Sequence, residues 1–132
     1  MNQHVETVQS LYQAFGAGDI PKILTYLSED VQWEHDGNDH KIPWLKPGVG
    51  IAHVQNFFAS MSQFTLSRFE PQNLLAGGDQ VVATIHVTLE VHATGKSFSE
   101  LEAHLWTFNQ QGKVCGFKHL CDTHAHWLAL QA

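Results

Sequence analysis

Cysteine is scarce in this chain, and so is positive charge. The two cysteines, Cys115 and Cys121, lie six positions apart in one expected strand, about 20 Å at ~3.3 Å per residue and beyond disulfide reach. A disulfide-stapled scaffold is therefore excluded, and both read as buried thiols. Lysine and arginine number 7 against 13 aspartates and glutamates, a formal net charge of −6, so no cationic field exists to gather phosphates or anionic lipid. This argues against nucleic-acid and membrane partners. No apolar run approaches the ~20 residues of a membrane span, and Met1-Asn2-Gln3-His4 lacks the regions of a secretory leader. A cytoplasmic location is the expectation. Charged residues are only 15% of the 132 positions and hydrophobic ones 43%, which excludes disorder and a coiled coil and suits one domain over residues 1–132.

Histidine, by contrast, is abundant at ten, and it is the side chain that changes charge near neutral pH. Its placement depends on the elements. Val5, Val8, Leu11, Tyr12 and Phe15 recur at helical spacing over Asn2–Phe15, and Gly16 and Gly18 end that helix. Asp19 can cap a second helix that carries Ile20, Ile23, Leu24 and Leu27. Val31–Asp36 alternates as a strand with Val31, Trp33 and His35 on one face. Asp36–Gly48 has no period and reads as an irregular loop, either a lid or a packed loop, whose Ile42, Trp44 and Leu45 are apolar enough to cover something. Ile51, Val54, Phe57, Phe58 and Met61 make a third helix over Gly50–Met61.

Beyond it the period changes to that of strands. Phe64–Leu75, Val81–His92, Phe98–Phe108 and Val114–Thr123 are separated by Gly77-Gly78-Asp79, Thr94-Gly95 and Gln110-Gln111-Gly112, which predicts antiparallel hairpins. Pro71 implies a bulge or an edge, since proline cannot donate to a ladder. Helices followed by long strands give an α+β domain with its helices on one face of a strongly curved sheet.

This element order, together with Phe15-Gly16-Ala17-Gly18-Asp19, Leu27-Ser28-Glu29-Asp30-Val31-Gln32-Trp33 and Trp106–Val114 across the last hairpin, resembles the nuclear transport factor 2-like superfamily. The resemblance is to its ketosteroid isomerase and SnoaL-like polyketide cyclase branches, and covers nearly the whole chain. It implies a cone-shaped α+β fold, with three N-terminal helices on the concave face of a curved, mainly antiparallel sheet. In ketosteroid isomerases a first-strand carboxylate is the general base, and a first-helix tyrosine and a second acid stabilise the enolate. By position the base falls on His35, the second acid on His104 and the tyrosine on Leu11, with Tyr12 turned roughly 100° away. Asp122 looks like the aspartate that SnoaL-like and related hydrolase branches carry at the end of the last strand.

Alternation places His104, Glu102 and by extension Glu100 on the inner face with Trp106 and Phe108, and Phe117, His119 and Cys121 share a face of the last strand. Each histidine alone can be a core residue satisfied by backbone carbonyls. Converging with a carboxylate in one cavity, they could hold a base near neutral pH and remove a proton beside a carbonyl. The catalytic candidates are His35, His104 and Asp122. The substrate-binding candidates are Trp33, Trp44, Phe57, Phe58, Glu102, Trp106, Phe117, His119 and Cys121. No metal or cofactor is expected, with a three-histidine site from His35, His104 and His119 as the rarer alternative: His124-Ala125-His126 follows no recognised ligand spacing, and no phosphate loop or nucleophile motif occurs. His126 and the remaining histidines are expected on surfaces or chain ends. The resulting expectation is a small-molecule-binding protein that performs cofactor-free acid–base chemistry, as an isomerase, cyclase or dehydratase, on a hydrophobic carbonyl compound. The alternative is a non-catalytic ligand-binding or dimerisation domain. A homodimer is expected through the convex face, where Thr88, Glu90 and His92 alternate with Val87, Leu89 and Val91.

Overall fold

The computed structural model describes residues 2–35 and 41–132, so residues 36–40 of the expected loop, and the expected strand end at Asp36, lie outside the described residues. Helix α1 (Gln3–Gly16) starts where Asn2 Oδ1 accepts the backbone N–H groups of His4 and Val5 at 2.8 and 3.3 Å. That cap satisfies two of the donors a helix start leaves orphaned. Gly18, at φ +72°, turns the chain into α2 (Ile20–Thr25), whose cap Asp19 accepts from Lys22 N–H. Strand β1 (Leu27–His35), the two-residue β2 (Gly48–Val49) and α3 (Ile51–Ser60) follow, and a 3-10 turn over Met61–Gln63 leads into the long strands. These are β3 (Phe64–Gly77), β4 (Gln80–Val91), β5 (Ser97–Phe108) and β6 (Val114–Leu120).

The six strands form one sheet in the order β2-β1-β6-β5-β4-β3. All neighbours are antiparallel except β1 and β6, which run parallel. The sheet is therefore mixed although mainly antiparallel, and the helices pack on its curved inner face as the α+β reading expected. Pro71 stands at a register shift, between Pro71 and Asn73 on edge strand β3, where its missing N–H costs no ladder bond. Strand β4 alternates buried Val81, Ala83, Ile85, Val87, Leu89 and Val91 with exposed or half-buried neighbours. The core has two parts, one built around Val8, Leu11, Val31 and Trp106, the other around Ile42, Trp44, Leu45 and Ile85. Ile42, Trp44 and Leu45 are thus a packed loop.

The end of the chain departs from expectation. The last strand stops at Leu120, and a fourth helix, α4 (Thr123–Leu130), replaces the expected strand end and tail. Asp122 is its cap, the carboxylate accepting Ala125 N–H at 3.1 Å. The helix buries His126 and Ala129 against the sheet. Cys115 and Cys121 form no disulfide, and both are half-buried where burial was expected.

Candidate active site

Strand register lays the inward side chains out in rows. Trp33 on β1 is level with Phe117 on β6, which is level with Trp106 on β5. The next inward row is His35, His119 and His104 on the same strands. A further step along β5 brings Glu102, opposite Ile85. Because side chains on one face repeat every second residue, an aromatic row and an imidazole row lie about 7 Å apart along the strands. Above them α1 contributes Leu11 and Tyr12, and α3 contributes Phe57 and Phe58.

Between these elements lies a chamber of about 90 Å³ whose wall includes Trp33, Tyr12, Glu102, His104, Trp106, Phe117 and His119. A second cavity of about 400 Å³ adjoins it at the α1–β3 edge, lined by Phe15, Met61, Phe64, Leu66, Phe69 and Pro71. Tyr12, Phe15, Met61, Phe64, Leu66 and Phe69 border both. The titratable groups therefore sit at the narrow end of a predominantly aromatic and aliphatic space. The wider part exceeds the ~300 Å³ at which small-molecule pockets begin.

Glu102 is the hub of the polar wall. Its Oε1 lies 3.2 Å from His104 Nε2 and 2.9 Å from His119 Nε2. Burial alone would raise its pKa; the charge of His119 and the hydrogen bonds from both imidazoles outweigh that and hold the carboxyl well below the usual range. Burial acts in the opposite sense on His104, lowering its pKa against the pull of Glu102. His104 is accordingly a neutral imidazole, and its tautomer follows from its neighbours. Trp106 Nε1–H can only donate, and it does so to Tyr12 Oη at 3.0 Å. The Tyr12 hydroxyl then donates to His104 Nδ1 at 2.8 Å. The His104 proton is left on Nε2, where it donates to Glu102. Burial pushes the Tyr12 hydroxyl well above its ordinary pKa, so it serves as a neutral donor.

His119 links this hub to His35, their Nδ1 atoms lying 3.0 Å apart, one donating to the other. A second branch starts at Trp44, whose Nε1–H donates to His126 Nδ1 at 3.0 Å. That bond fixes the His126 proton on Nε2, which donates to Glu100 at 2.8 Å, while Glu100 in turn accepts the Asp122 backbone N–H at 2.8 Å. His126 Nε2 is 4.0 Å from the free oxygen of Glu102. Among the described residues, two groups have ligand atoms within 4.8 Å of one another: Glu102, His104 and His119, and Glu100, Glu102 and His126. Trp44 closes the second to a metal by keeping the His126 Nε2 lone pair occupied. The first could hold a divalent cation only by giving up both N–H bonds to Glu102.

A family model described as the SnoaL-like domain matches residues 8–117. The chain belongs to the SnoaL-like family. Solved structures carry the same fold along its whole length. A nuclear transport factor 2-like protein of unknown function from Burkholderia pseudomallei is 22% identical with a TM-score of 0.88, covering 100% of both chains. Another from Burkholderia xenovorans is 25% identical with a TM-score of 0.85, over 97% of this chain and 95% of that one. TerC, crystallised with polyporic acid, is 25% identical with a TM-score of 0.78, over 99% and 100%. No curated protein matches the chain.

Within this SnoaL-like cavity the structure brings together Trp33, Trp44, Phe57, Phe58, Glu102, His104, Trp106, Phe117 and His119. Three expected site residues lie elsewhere. Asp122 is an exposed helix cap, its oxygen committed to Ala125 N–H; the carboxylate that meets the histidines is Glu102. His35 is buried on the expected face but stands behind His119 and beside Phe57, one strand beyond the chamber wall. Cys121 packs against the second part of the core. Among the wall residues not expected in the site are Tyr12 and His126. Tyr12 and Leu11 both reach the chamber, because a ~100° step on a helix lying along the cavity keeps both within its inner face. His126, expected at the surface, is 1% exposed; the cap Asp122 was the signal for the helix that buries it.

Proposed function

We propose that this SnoaL-like domain binds a hydrophobic, carbonyl-bearing small molecule and transfers a proton on it without a cofactor, as an isomerase, cyclase or dehydratase. The observation that carries this reading is the juxtaposition of an aromatic row with an ionised Glu102 held by two buried imidazoles in one cavity wall. Glu102, backed by His119 and through it by His35, takes up the proton, and His104, oriented by Tyr12, supplies the N–H that returns one. TerC, crystallised with polyporic acid, supports an organic small molecule as the ligand. The narrowness of the inner chamber favours the rival, a binding domain without turnover, so the test must see chemistry. In heavy water, NMR should show catalysed deuterium exchange beside the carbonyl of compounds selected from a carbonyl-rich library by thermal shift. Compounds that stabilise the protein yet exchange no faster than in buffer would leave only a binding domain.

No helix among the described residues is long and apolar enough to cross a membrane, and in our reading the protein is cytoplasmic. We further propose a homodimer through the outer sheet face. Thr88 and Glu90 stand there, and the neighbouring strands add Leu101 and Leu75, exposed by 58% and 63%. His92, expected with them, lies just past β4, with its Nε2 2.7 Å from Thr65 Oγ1. Light scattering at micromolar concentration should give twice the chain mass; a monomer mass unchanged by tenfold concentration would rule this out.

A further inference from the structure

Three tryptophans line the chamber, and two of them have acceptors: Trp44 Nε1–H meets His126, and Trp106 Nε1–H meets Tyr12. Trp33 differs. It is 1% exposed, and its Nε1–H has no hydrogen-bond acceptor among the described residues. The rings around it are apolar. It stacks on Phe117 at 4.1 Å between centroids, meets Trp106 edge-on at 6.1 Å and faces Phe57 at 5.6 Å. A buried indole usually finds a partner for its one donor, and leaving it unmet is costly.

Three facts give this donor a purpose. Trp33 borders the chamber. Its inward row on β1 and β6 adjoins the row of His35 and His119, so an atom bound at the indole lies about one side-chain repeat from the imidazoles. The polar groups of the opposite end, Glu102, His104, His119 and Tyr12, are all engaged with one another. Trp33 is therefore the wall residue whose neutral donor is uncommitted, in apolar surroundings where a hydrogen bond to a ligand oxygen would be strong.

We infer that Trp33 Nε1–H is the oxygen anchor of this site, and that the ligand is an aryl or alicyclic ketone, enone or quinone. Its carbonyl oxygen accepts from the indole, and its adjacent C–H is turned toward Glu102 and His119. This inference rests on the proton-transfer reading above and names the ligand's orientation within it. When Glu102 takes the proton from that carbon, the C–H electron pair moves into the C=C bond of an enolate. The negative charge collects on the oxygen at Trp33, where a fixed N–H favours it.

The probes are α-tetralone and tetralin, which share a ring frame and differ by the carbonyl. Nitrogen-15 NMR of the full chain locates the Trp33 indole resonance as the one missing from Trp33→Phe. In the unsubstituted protein α-tetralone should move that N–H downfield and tetralin should not. Trp33→Phe should weaken α-tetralone about tenfold, the size of one net hydrogen bond, while changing tetralin affinity by less than about twofold. An indole resonance that responds alike to both probes, or equal weakening of both in the variant, would overturn the anchor. If Trp33→Phe does not fold, the resonance in the unsubstituted protein decides by itself. A carbonyl-selective shift without deuterium exchange keeps the anchor and removes the proton-transfer reading; failure of both probes to bind removes both.

Discussion

Glu102→Gln is expected to cost ~10²–10⁴-fold in turnover, measured as deuterium exchange or product formation, while the fold survives. Glutamine keeps the shape of the side chain and an oxygen that can still accept from His104 or His119 at the 3.2 and 2.9 Å positions. What it removes is the negative charge, and with it both the proton acceptor and the charge that strengthens the two imidazole hydrogen bonds. Alanine would be a poorer test, because it strands two buried imidazole donors at about 1–3 kcal/mol each. His104→Ala should lower turnover by a comparable factor. His35→Ala should lower it less and also shift the pH profile, since His35 acts through the 3.0 Å contact with His119 and not on the ligand. A normally melting Glu102→Gln protein with full turnover would defeat the assignment of Glu102 as proton acceptor.

What the sequence made legible follows from period and register. Alternation on β5 and β6 decides which side chains face inward, and hairpin turns leave few registers open, so Glu102, His104, Trp106, Phe117 and His119 could be named as one wall. Face is not depth, however. His35 obeys the alternation of β1 and is still set one strand away from the chamber, because the chamber lies over the neighbouring strands at that level. Helix rotation is coarser still: a single ~100° step separates Tyr12 from the expected inward position at Leu11, and both reach the chamber. The α4 branch was hidden for another reason. Trp127, Leu128, Ala129 and Leu130 form a contiguous apolar run with no stripe, so only the Asp122 cap distinguished a helix from a tail. The hydrogen bonds that fix tautomers, from Trp106 through Tyr12 to His104 and from Trp44 to His126, join residues more than eighty positions apart, a pairing no local pattern encodes.

The same network should make the protein acid-labile, with a sign and a window that can be worked out. The folded pKa of His104 lies below its ordinary 6.5 because burial penalises the imidazolium. Below pH 6.5 the unfolded chain therefore binds a proton that the native state refuses, and stability falls as pH falls through that range toward the folded value. Glu102, whose folded pKa is also depressed from 4.5, adds a loss of the same sign below about pH 4.5. Each such proton contributes a slope of about 1.4 kcal/mol per pH unit while the two states differ fully in its binding. Denaturant unfolding between pH 6 and 5 reads mainly the His104 contribution, since Glu102 is ionised in the folded state and largely so in the unfolded state there. His104→Gln, which cannot titrate but can accept from Tyr12 and donate to Glu102, should show a slope shallower than the parent by about one proton. The other nine histidines are common to both proteins and cancel. Equal slopes, or a parent that grows more stable on acidification, would mean that His104 takes up its proton in the folded state. The imidazole between Tyr12 and Glu102 would then be a cation at rest, and the donor that returns a proton in turnover would be charged from the start.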